Sequence, residues 1–328
     1  MILKRAQWGI IGCGNVTELK SGPAFNKVEG SVLAAVMRRD KEKAKDYAQR
    51  HQVPRWYDNA GDLIKDPDIN AVYVATPPLY HTGYAIEAMK AGKAVYVEKP
   101  MAAAYSDCLR MNQVAEETGM PLFVAYYRRS LPYFLKVKEM IDAGKIGNIL
   151  SVDIKLMTAP RKEDYDKNNL PWRVNSKVAG GGYFYDLACH QLDILDYYFG
   201  HITEVQGVFS NRKGLYAAED TVASSFRFEN GIAGTGLWSF VTGESSETDS
   251  MDITGESGSI LFSAFDFSPV ILRTKNKTEE FRPDNPENIQ YYLIKNVVEE
   301  LRGMGKSPSN GISGARTNKV MDMILHKL

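Results

Sequence analysis

The stretch "QWGIIGCGNVT", Gln7 to Thr17, runs an apolar strand straight into a glycine-rich turn and on into a helix start. That order opens a βαβ unit, and Gly12-x-Gly14 is the spacing of a dinucleotide-binding turn. Thr17 stands where a third glycine would complete the pattern. Gly12 would permit the tight turn. Gly14 would let backbone amides at the helix start, where Asn15 and Val16 lie, approach a pyrophosphate. Glycine turns also follow strands that bind nothing, so the turn is read with its surroundings. "SVLAAVM", "INAVYVAT", "KAVYVEKP" and "PLFVAYY" are nearly continuous apolar runs, separated by helical stretches such as "KEKAKDYAQRHQ" and "SDCLRMNQVAEETG". Strands of that kind are buried on both faces, and strand–helix alternation predicts a doubly wound parallel sheet. Right-handed crossovers then bring every strand's C-terminal end to one edge, where ligands bind.

The end of the second strand bears on the cofactor. An NAD site usually places a carboxylate there to accept from the ribose 2′-hydroxyl, but this chain has Arg38 and Arg39, with Lys43 one turn into the next helix. A guanidinium fork suits a 2′-phosphate, so NADP is expected ahead of NAD. The alternative is a solvated basic loop balanced by Asp40 and Glu42.

From about Ile149 the rhythm changes. "NILSVDIKLMT", "HITEVQGVFSN", "TVASSFRFENGIAGTGLWSF" and "SMDITGESGSILFS" read as longer, alternating strands, with Glu229-Asn230-Gly231 as a hairpin signal. Helical stretches are expected near 131–143, 184–199, 286–303 and 313–327. The prediction is a Rossmann domain over 1–124 and, over 125–328, an α+β domain with an open, largely antiparallel sheet.

The whole chain excludes several function classes. Its 328 residues include 40 basic and 40 acidic side chains, so no field of one sign recruits nucleic acid or an anionic membrane. Cys13, Cys108 and Cys189 lack CxxC spacing, and the five histidines are dispersed, so neither a zinc site nor a metal-dependent hydrolase is expected. "MILKRAQWGIIGCG" has no secretory character, and no run reaches membrane-spanning length. A cytoplasmic, soluble protein is expected.

Hydride transfer at a carbinol carbon needs a proton relay at the attached oxygen. Lys99 directly follows the strand "AVYV", and Pro100 biases it towards an extended conformation. An ammonium there could stabilise developing negative charge and pass a proton. In "GGGYFYDLACHQLDIL", residues 180–195, Asp186 and His190 are four apart and lie about 40° apart around a helix. They share a face, an imidazole is suited to acid–base work near neutral pH, and the three glycines are expected to clear space for nicotinamide or substrate. A plain surface Asp–His pair is the bland reading of the same spacing. Which of Lys99 and His190 transfers the proton is left open by the sequence. Tyr126, Tyr127 and Arg128, at the domain junction, could contact ribose or substrate.

"VATPPLYHTGYAIEAMKAGKAVYVEKP", residues 74–100, resembles the glucose–fructose oxidoreductase/inositol dehydrogenase/MocA family. That family carries an ATP…H segment after its fourth strand, here Ala75-Thr76-Pro77 with His81, and an EKP after its fifth, here Glu98-Lys99-Pro100. "GGGYFYDLACHQLD" is similar to its second-domain motif. The resemblance implies that these residues line the cofactor, that Lys99, Asp186 and His190 act as a catalytic set, and that oligomers, dimers or tetramers, form through the second-domain sheet. The chain also resembles the family's 1,5-anhydro-D-fructose reductase branch, in which a Trp-Arg pair and a late tyrosine reach NADP; these are Trp172, Arg173 and Tyr291 here. "GCGNVTELKSGPAF" departs from that branch's loop, so substrate identity does not transfer. The implied function is an NAD(P)-dependent oxidoreductase acting on a sugar, polyol or related cyclic carbonyl compound. The alternative is a non-catalytic NAD(P)-binding sensor, a class that tends to lose the lysine or the Asp/His pair, all of which this chain keeps.

Overall fold

The computed structural model describes residues 2–328, which form two compact units. The first holds the residues up to Leu131 together with Pro286–Ala315; the second holds Pro132–Asn285 and Arg316–Leu328. This differs from a single division at 124/125, because the chain returns late to the first unit. The returning segment carries the helix Tyr291–Leu301, whose Leu293, Ile294, Val297, Val298 and Leu301 are buried. An amphipathic pattern announces such a helix but does not say which body its apolar stripe covers.

In the first unit six strands, β1 (Ala6–Ile11), β2 (Ser31–Met37), β3 (Arg55–Tyr57), β4 (Ala71–Val74), β5 (Ala94–Val97) and β6 (Leu122–Val124), form one sheet in the order β3-β2-β1-β4-β5-β6. Every pairing is parallel. β4 and β5 are buried along their whole length, as their unbroken apolar runs predict. The order reverses direction beside β1, which sets the switch point next to the Gly12–Gly14 turn. One face of the sheet carries an aromatic layer: Trp8 meets Phe25 at 4.9 Å, and Tyr73 stacks on its cross-strand partner Tyr96 at 5.0 Å. Such ring pairs add roughly 0.5–1.5 kcal/mol each beyond the area they bury.

The helical stretch after β1 is two short helices, Asn15–Leu19 and Gly22–Lys27. A side chain at Gly22 would meet the Thr17 carbonyl oxygen at 2.2 Å and the Tyr47 hydroxyl at 2.4 Å, so glycine is required at the break. Glu18 ties this region to the helix Lys41–Arg50: Arg50 donates to both its oxygens, at 2.8 and 2.9 Å, and His51 Nε2 lies 2.7 Å away. The Arg50 bonds, helped by His51, lower the Glu18 pKa to about 2. A depressed carboxylate stabilises the fold above its unfolded pKa and loses that contribution as pH falls through the folded one. Stability is therefore expected to drop between about pH 4.5 and pH 2 by on the order of 1 kcal/mol from this group, Arg50 being half exposed. Glu18→Gln should flatten that part of a urea-melt pH series.

In the second unit eight strands form one sheet. They are β7 (Ile149–Met157), β8 (Ile202–Ser210), β9 (Thr221–Phe228), β10 (Ala233–Ser239), β11 (Thr248–Gly255), β12 (Gly258–Phe262), β13 (Val270–Thr274) and β14 (Thr278–Phe281). Their order is β14-β13-β12-β11-β7-β10-β9-β8, antiparallel throughout except β10 with β7. Phe228 and Ile232 close the expected hairpin, with Gly231 at φ +90°. β13 and β14 are absent from the sequence reading, because "VILRTKNKTEEF" mixes charge and apolar residues without a clean alternation. On one face the sheet packs against the long helix Tyr183–Phe199: Phe184 meets Trp238 at 5.1 Å, and Trp238 Nε1 donates to Gln191 Oε1 at 2.8 Å. The same helix pairs its Asp196 with Arg316, whose Nε and Nη2 donate to the two carboxylate oxygens at 2.8 and 2.7 Å. It is thus buried nearly all round.

Among the described residues no helix is long and apolar enough to cross a membrane, and no group of three His, Cys, Asp or Glu could hold a metal ion.

Candidate cofactor and catalytic sites

The C-terminal edge of the parallel sheet is a continuous ladder. Gly12 N–H donates to Met37 O at 2.9 Å, Ala75 N–H to Ile11 O at 2.9 Å, and Glu98 N–H to Val74 O at 2.9 Å. The ladder sets the glycine turn, the Ala75-Thr76-Pro77 segment and the Glu98-Lys99-Pro100 segment side by side on one rim. Gly12 has φ +93°, and a side chain there would meet Thr76 Cγ2 at 2.8 Å. At Gly14 the nearest atom to an added methyl is the Gly12 carbonyl oxygen at 3.8 Å, so the turn faces open space. Thr17, in place of the third glycine, is buried, donates to Gly14 O at 2.8 Å and accepts from Gly14 N–H at 3.1 Å. It closes the turn with a hydroxyl. Asn15 and Val16 open the helix, where amides have no intrahelical acceptor. Thr76 Oγ1 is buried without a hydrogen-bond partner. A cradle clear of side chains, first-turn amides and an unsatisfied hydroxyl fit a dinucleotide pyrophosphate.

After β2, Arg38 Nη1 donates to the Cys13 carbonyl at 3.2 Å, folding the guanidinium back against the glycine turn. Arg39 is exposed and lies 5.7 Å from the Tyr80 ring. Asp40 caps the next helix by accepting from Lys43 N–H at 3.2 Å, a bond that lowers its pKa, and it pairs with Lys43 Nζ at 3.3 Å. The acidic residue nearest the strand end is therefore occupied by its own helix, while the Arg38 guanidinium lies against the turn and Arg39 is exposed.

After β5, Lys99 is half-buried, and its backbone N–H donates to Glu98 Oε2 at 3.1 Å. Glu98 is only 6% exposed. Gln290 Nε2 donates to its Oε1 at 2.7 Å, and the Tyr73 hydroxyl donates to the same oxygen. His81 is held likewise within the first unit. It is fully buried, with Nε2 2.6 Å from Thr76 O and Nδ1 3.1 Å from Pro100 O, and burial lowers its pKa. Its ring ties the two rim segments together and has no surface left for a ligand. Tyr126, Tyr127 and Arg128 follow β6 and are buried, with the Arg128 guanidinium 5.0 Å from the Tyr127 ring. Tyr291 is half-buried at the start of its helix, 5.2 Å from Tyr292.

In the second unit the three glycines are buried against their own unit, which corrects their expected role. A side chain at Gly181 would meet Tyr185 Cδ2 at 2.6 Å and Glu219 Oε1 at 2.8 Å; one at Gly182 would meet Ala218 Cβ at 2.9 Å. Gly182 N–H donates to Glu219 Oε1 at 2.8 Å. Lys327 Nζ donates to the Gly180 carbonyl and lies 4.2 Å from the Tyr185 ring. The space is thus taken by residues 218–219 and Tyr185, which pin the start of the helix bearing Asp186 and His190. Asp186 accepts from Arg173 Nε at 3.0 Å, and Arg173 in turn lies 4.6 Å from the Trp172 ring. Arg173, expected at the cofactor, engages the carboxylate. His190 is 4% exposed and edge-on to Phe265 at 5.9 Å, so it is no surface residue. Gln290, Glu219 and Lys327 lack any local motif and are absent from the sequence reading; each lies more than thirty residues from the group it holds.

Comparison with known proteins decides the family. Residues 6–126 match "Oxidoreductase family, NAD-binding Rossmann fold", and residues 134–261 match "GFO/IDH/MocA C-terminal domain". The chain belongs to the GFO/IDH/MocA oxidoreductase family. It is 38% identical to "Oxidoreductase P35" of Formosa agariphila over 97% of this chain and 98% of that protein. It is 24% identical to the 1,5-anhydro-D-fructose reductase of Ensifer adhaerens over 94% and 92% of the two chains. Among solved structures, the aldose-aldose oxidoreductase of Caulobacter crescentus, complexed with glycerol, superposes with a TM-score of 0.86 at 23% identity, covering 98% and 97%. This GFO/IDH/MocA protein therefore has the family's NAD-binding Rossmann domain, its mixed second-domain sheet and its oxidoreductase class.

Proposed function

We propose that this oxidoreductase transfers a hydride between NADP and a carbinol or carbonyl carbon of a sugar or related cyclic polyol. The observation that supports the reading is the rim of the first unit, on which the open Gly12–Gly14 turn after β1 and Lys99 after β5 flank the Ala75-Thr76-Pro77 segment after β4. A nicotinamide held at such a rim supplies or takes up the hydride. Reduction leaves an alkoxide on the substrate, and the Lys99 ammonium can neutralise and protonate that oxygen; oxidation reverses the transfer. Asp186 accepts from Arg173 and can bind a substrate hydroxyl, and His190 is assigned to the same set. Gly12, Gly14, Asn15, Val16, Ala75, Thr76, Pro77, Trp172 and Tyr291 are assigned to the cofactor, and Tyr127 and Arg128 to the substrate side. Arg38 and Arg39, with Lys43 one turn on, support NADP over NAD, since a guanidinium fork matches a phosphate.

The sugar class is supported by the relatives: one is named for 1,5-anhydro-D-fructose and another for aldoses. Self-association through the second-domain sheet, as a dimer or tetramer, belongs to the same reading. Its support is the outer face, where Val208 is 76% exposed and a groove of about 560 Å³ runs over Val208, Ala223, Leu237 and Lys155. A cytoplasmic setting is supported by the scattered cysteines.

The test is nicotinamide absorbance with NADPH and NADH against a panel of aldoses, ketoses and anhydro sugars, and with the oxidised cofactors against the matching polyols. Turnover of at least one panel member, faster with the phosphorylated cofactor, is expected. Tight NADPH binding without turnover of any member would overturn the enzymatic reading in favour of a sensor.

A further inference from the structure

We propose that Gln290 is a positioning residue for Lys99, acting through Glu98. The inference rests on the reading of Lys99 as the proton-transfer group and goes beyond it. Glu98 is a nearly buried carboxylate one residue before that lysine. A buried charge is tolerated only when its lone pairs are satisfied, and here the donors come from within the first unit. Gln290 Nε2 and the Tyr73 hydroxyl meet on Oε1, while Oε2 accepts the Lys99 backbone N–H at 3.1 Å. Gln290 is itself fixed on three sides. Its backbone N–H donates to Lys20 O at 3.2 Å, its Oε1 accepts the Tyr96 hydroxyl at 2.9 Å, and its side chain is buried.

The amide is matched to this place by chemistry as well as shape. It must donate to a carboxylate with one end and accept from a phenol with the other, which an amide does without carrying charge. Burial and the Glu98 charge keep Tyr73 and Tyr96 firmly protonated, so both phenols remain donors. Removing the amide would leave Glu98 short of a donor and the Tyr96 hydroxyl short of an acceptor. The carboxylate would then turn to find another partner, and with it the peptide from which Lys99 starts. The effect on Lys99 is one of direction and mobility, with no contact between Gln290 and the reacting atoms required.

The experiment uses Gln290→Met, Gln290→Glu, Lys99→Met and the Lys99→Met/Gln290→Met double variant of the full chain. The readouts are turnover of the most active panel sugar, NADPH affinity, and the NMR signal of Lys99 after reductive 13C-methylation, assigned by its loss in Lys99→Met. Gln290→Met should lower kcat by roughly 10- to 100-fold with KM and NADPH affinity within about twofold, the signature of misplacement rather than lost binding. It should also move or split the Lys99 signal in cofactor-free protein. In the double variant no further loss beyond Lys99→Met is expected, because the second change acts through the first. Gln290→Glu gives a test that does not depend on the methionine variant folding. The introduced carboxyl, when protonated, donates to Glu98 as the amide does, whereas its ionised form repels Glu98, so this variant should regain activity as pH falls while wild type does not. An unchanged Lys99 signal with wild-type kcat in Gln290→Met, full additivity in the double variant, or a Gln290→Glu pH profile parallel to wild type would overturn the proposal. Wild-type turnover in Lys99→Met would instead overturn the reading beneath it.

Discussion

Lys99→Met is expected to lower kcat by roughly 10³-fold while NADPH affinity stays within about twofold, the signature of losing a positioned acid–base group. Methionine keeps the unbranched stem and its packing but removes the ammonium, so cavity formation is a minor contribution. The rim around it should survive, because the Lys99 backbone N–H, Glu98 and His81 make contacts that order it and that the substitution leaves in place. Stopped-flow hydride transfer alongside NADPH titration separates the two quantities. Rates within a few-fold of wild type would remove Lys99 from the chemistry.

Replacing both Arg38 and Arg39 by alanine should weaken NADPH by roughly 10²-fold or more and NADH by only a few-fold. Charge-assisted bonds to a phosphate are worth about 1.5–3 kcal/mol each, and two of them account for a loss of that size. Arg38 has a second duty, since its Nη1 donates to the Cys13 carbonyl, so a small penalty common to both cofactors is expected. Isothermal titration with each cofactor measures the difference. Equal losses would refute the 2′-phosphate assignment and leave Arg38 as a brace of the glycine turn.

The parts of this molecule legible in its sequence are those written in local patterns. Unbroken apolar runs gave β4 and β5, the glycine spacing gave the turn after β1, and the Asp186–His190 interval placed both on one helix. The parts that escaped depend on partners far along the chain. The glycines at 180–182 read as space for a ligand because glycine announces close approach without saying to what; Ala218, Glu219 and Tyr185 turned out to be the neighbours. Glu98 and His81 enter the expected cofactor lining through the family resemblance, and the sequence gives no sign of the buried networks that Gln290 and backbone carbonyls complete around their side chains. Arg173 could not be paired with Asp186 from sequence, since the contact depends on how residues 158–175 fold back over the helix start.

The return of Pro286–Ala315 to the first unit has a bearing on how the chain is made. A ribosome releases the six parallel strands long before it releases Gln290, and until then the Tyr96 hydroxyl and the Glu98 carboxylate lack the amide that joins them. The nucleotide-binding half therefore cannot finish maturing as an independent early product. It must wait, incompletely closed, while nearly the whole of the other half emerges, a non-local dependence that slows assembly and makes a nascent fragment ending near residue 131 a natural client for chaperones.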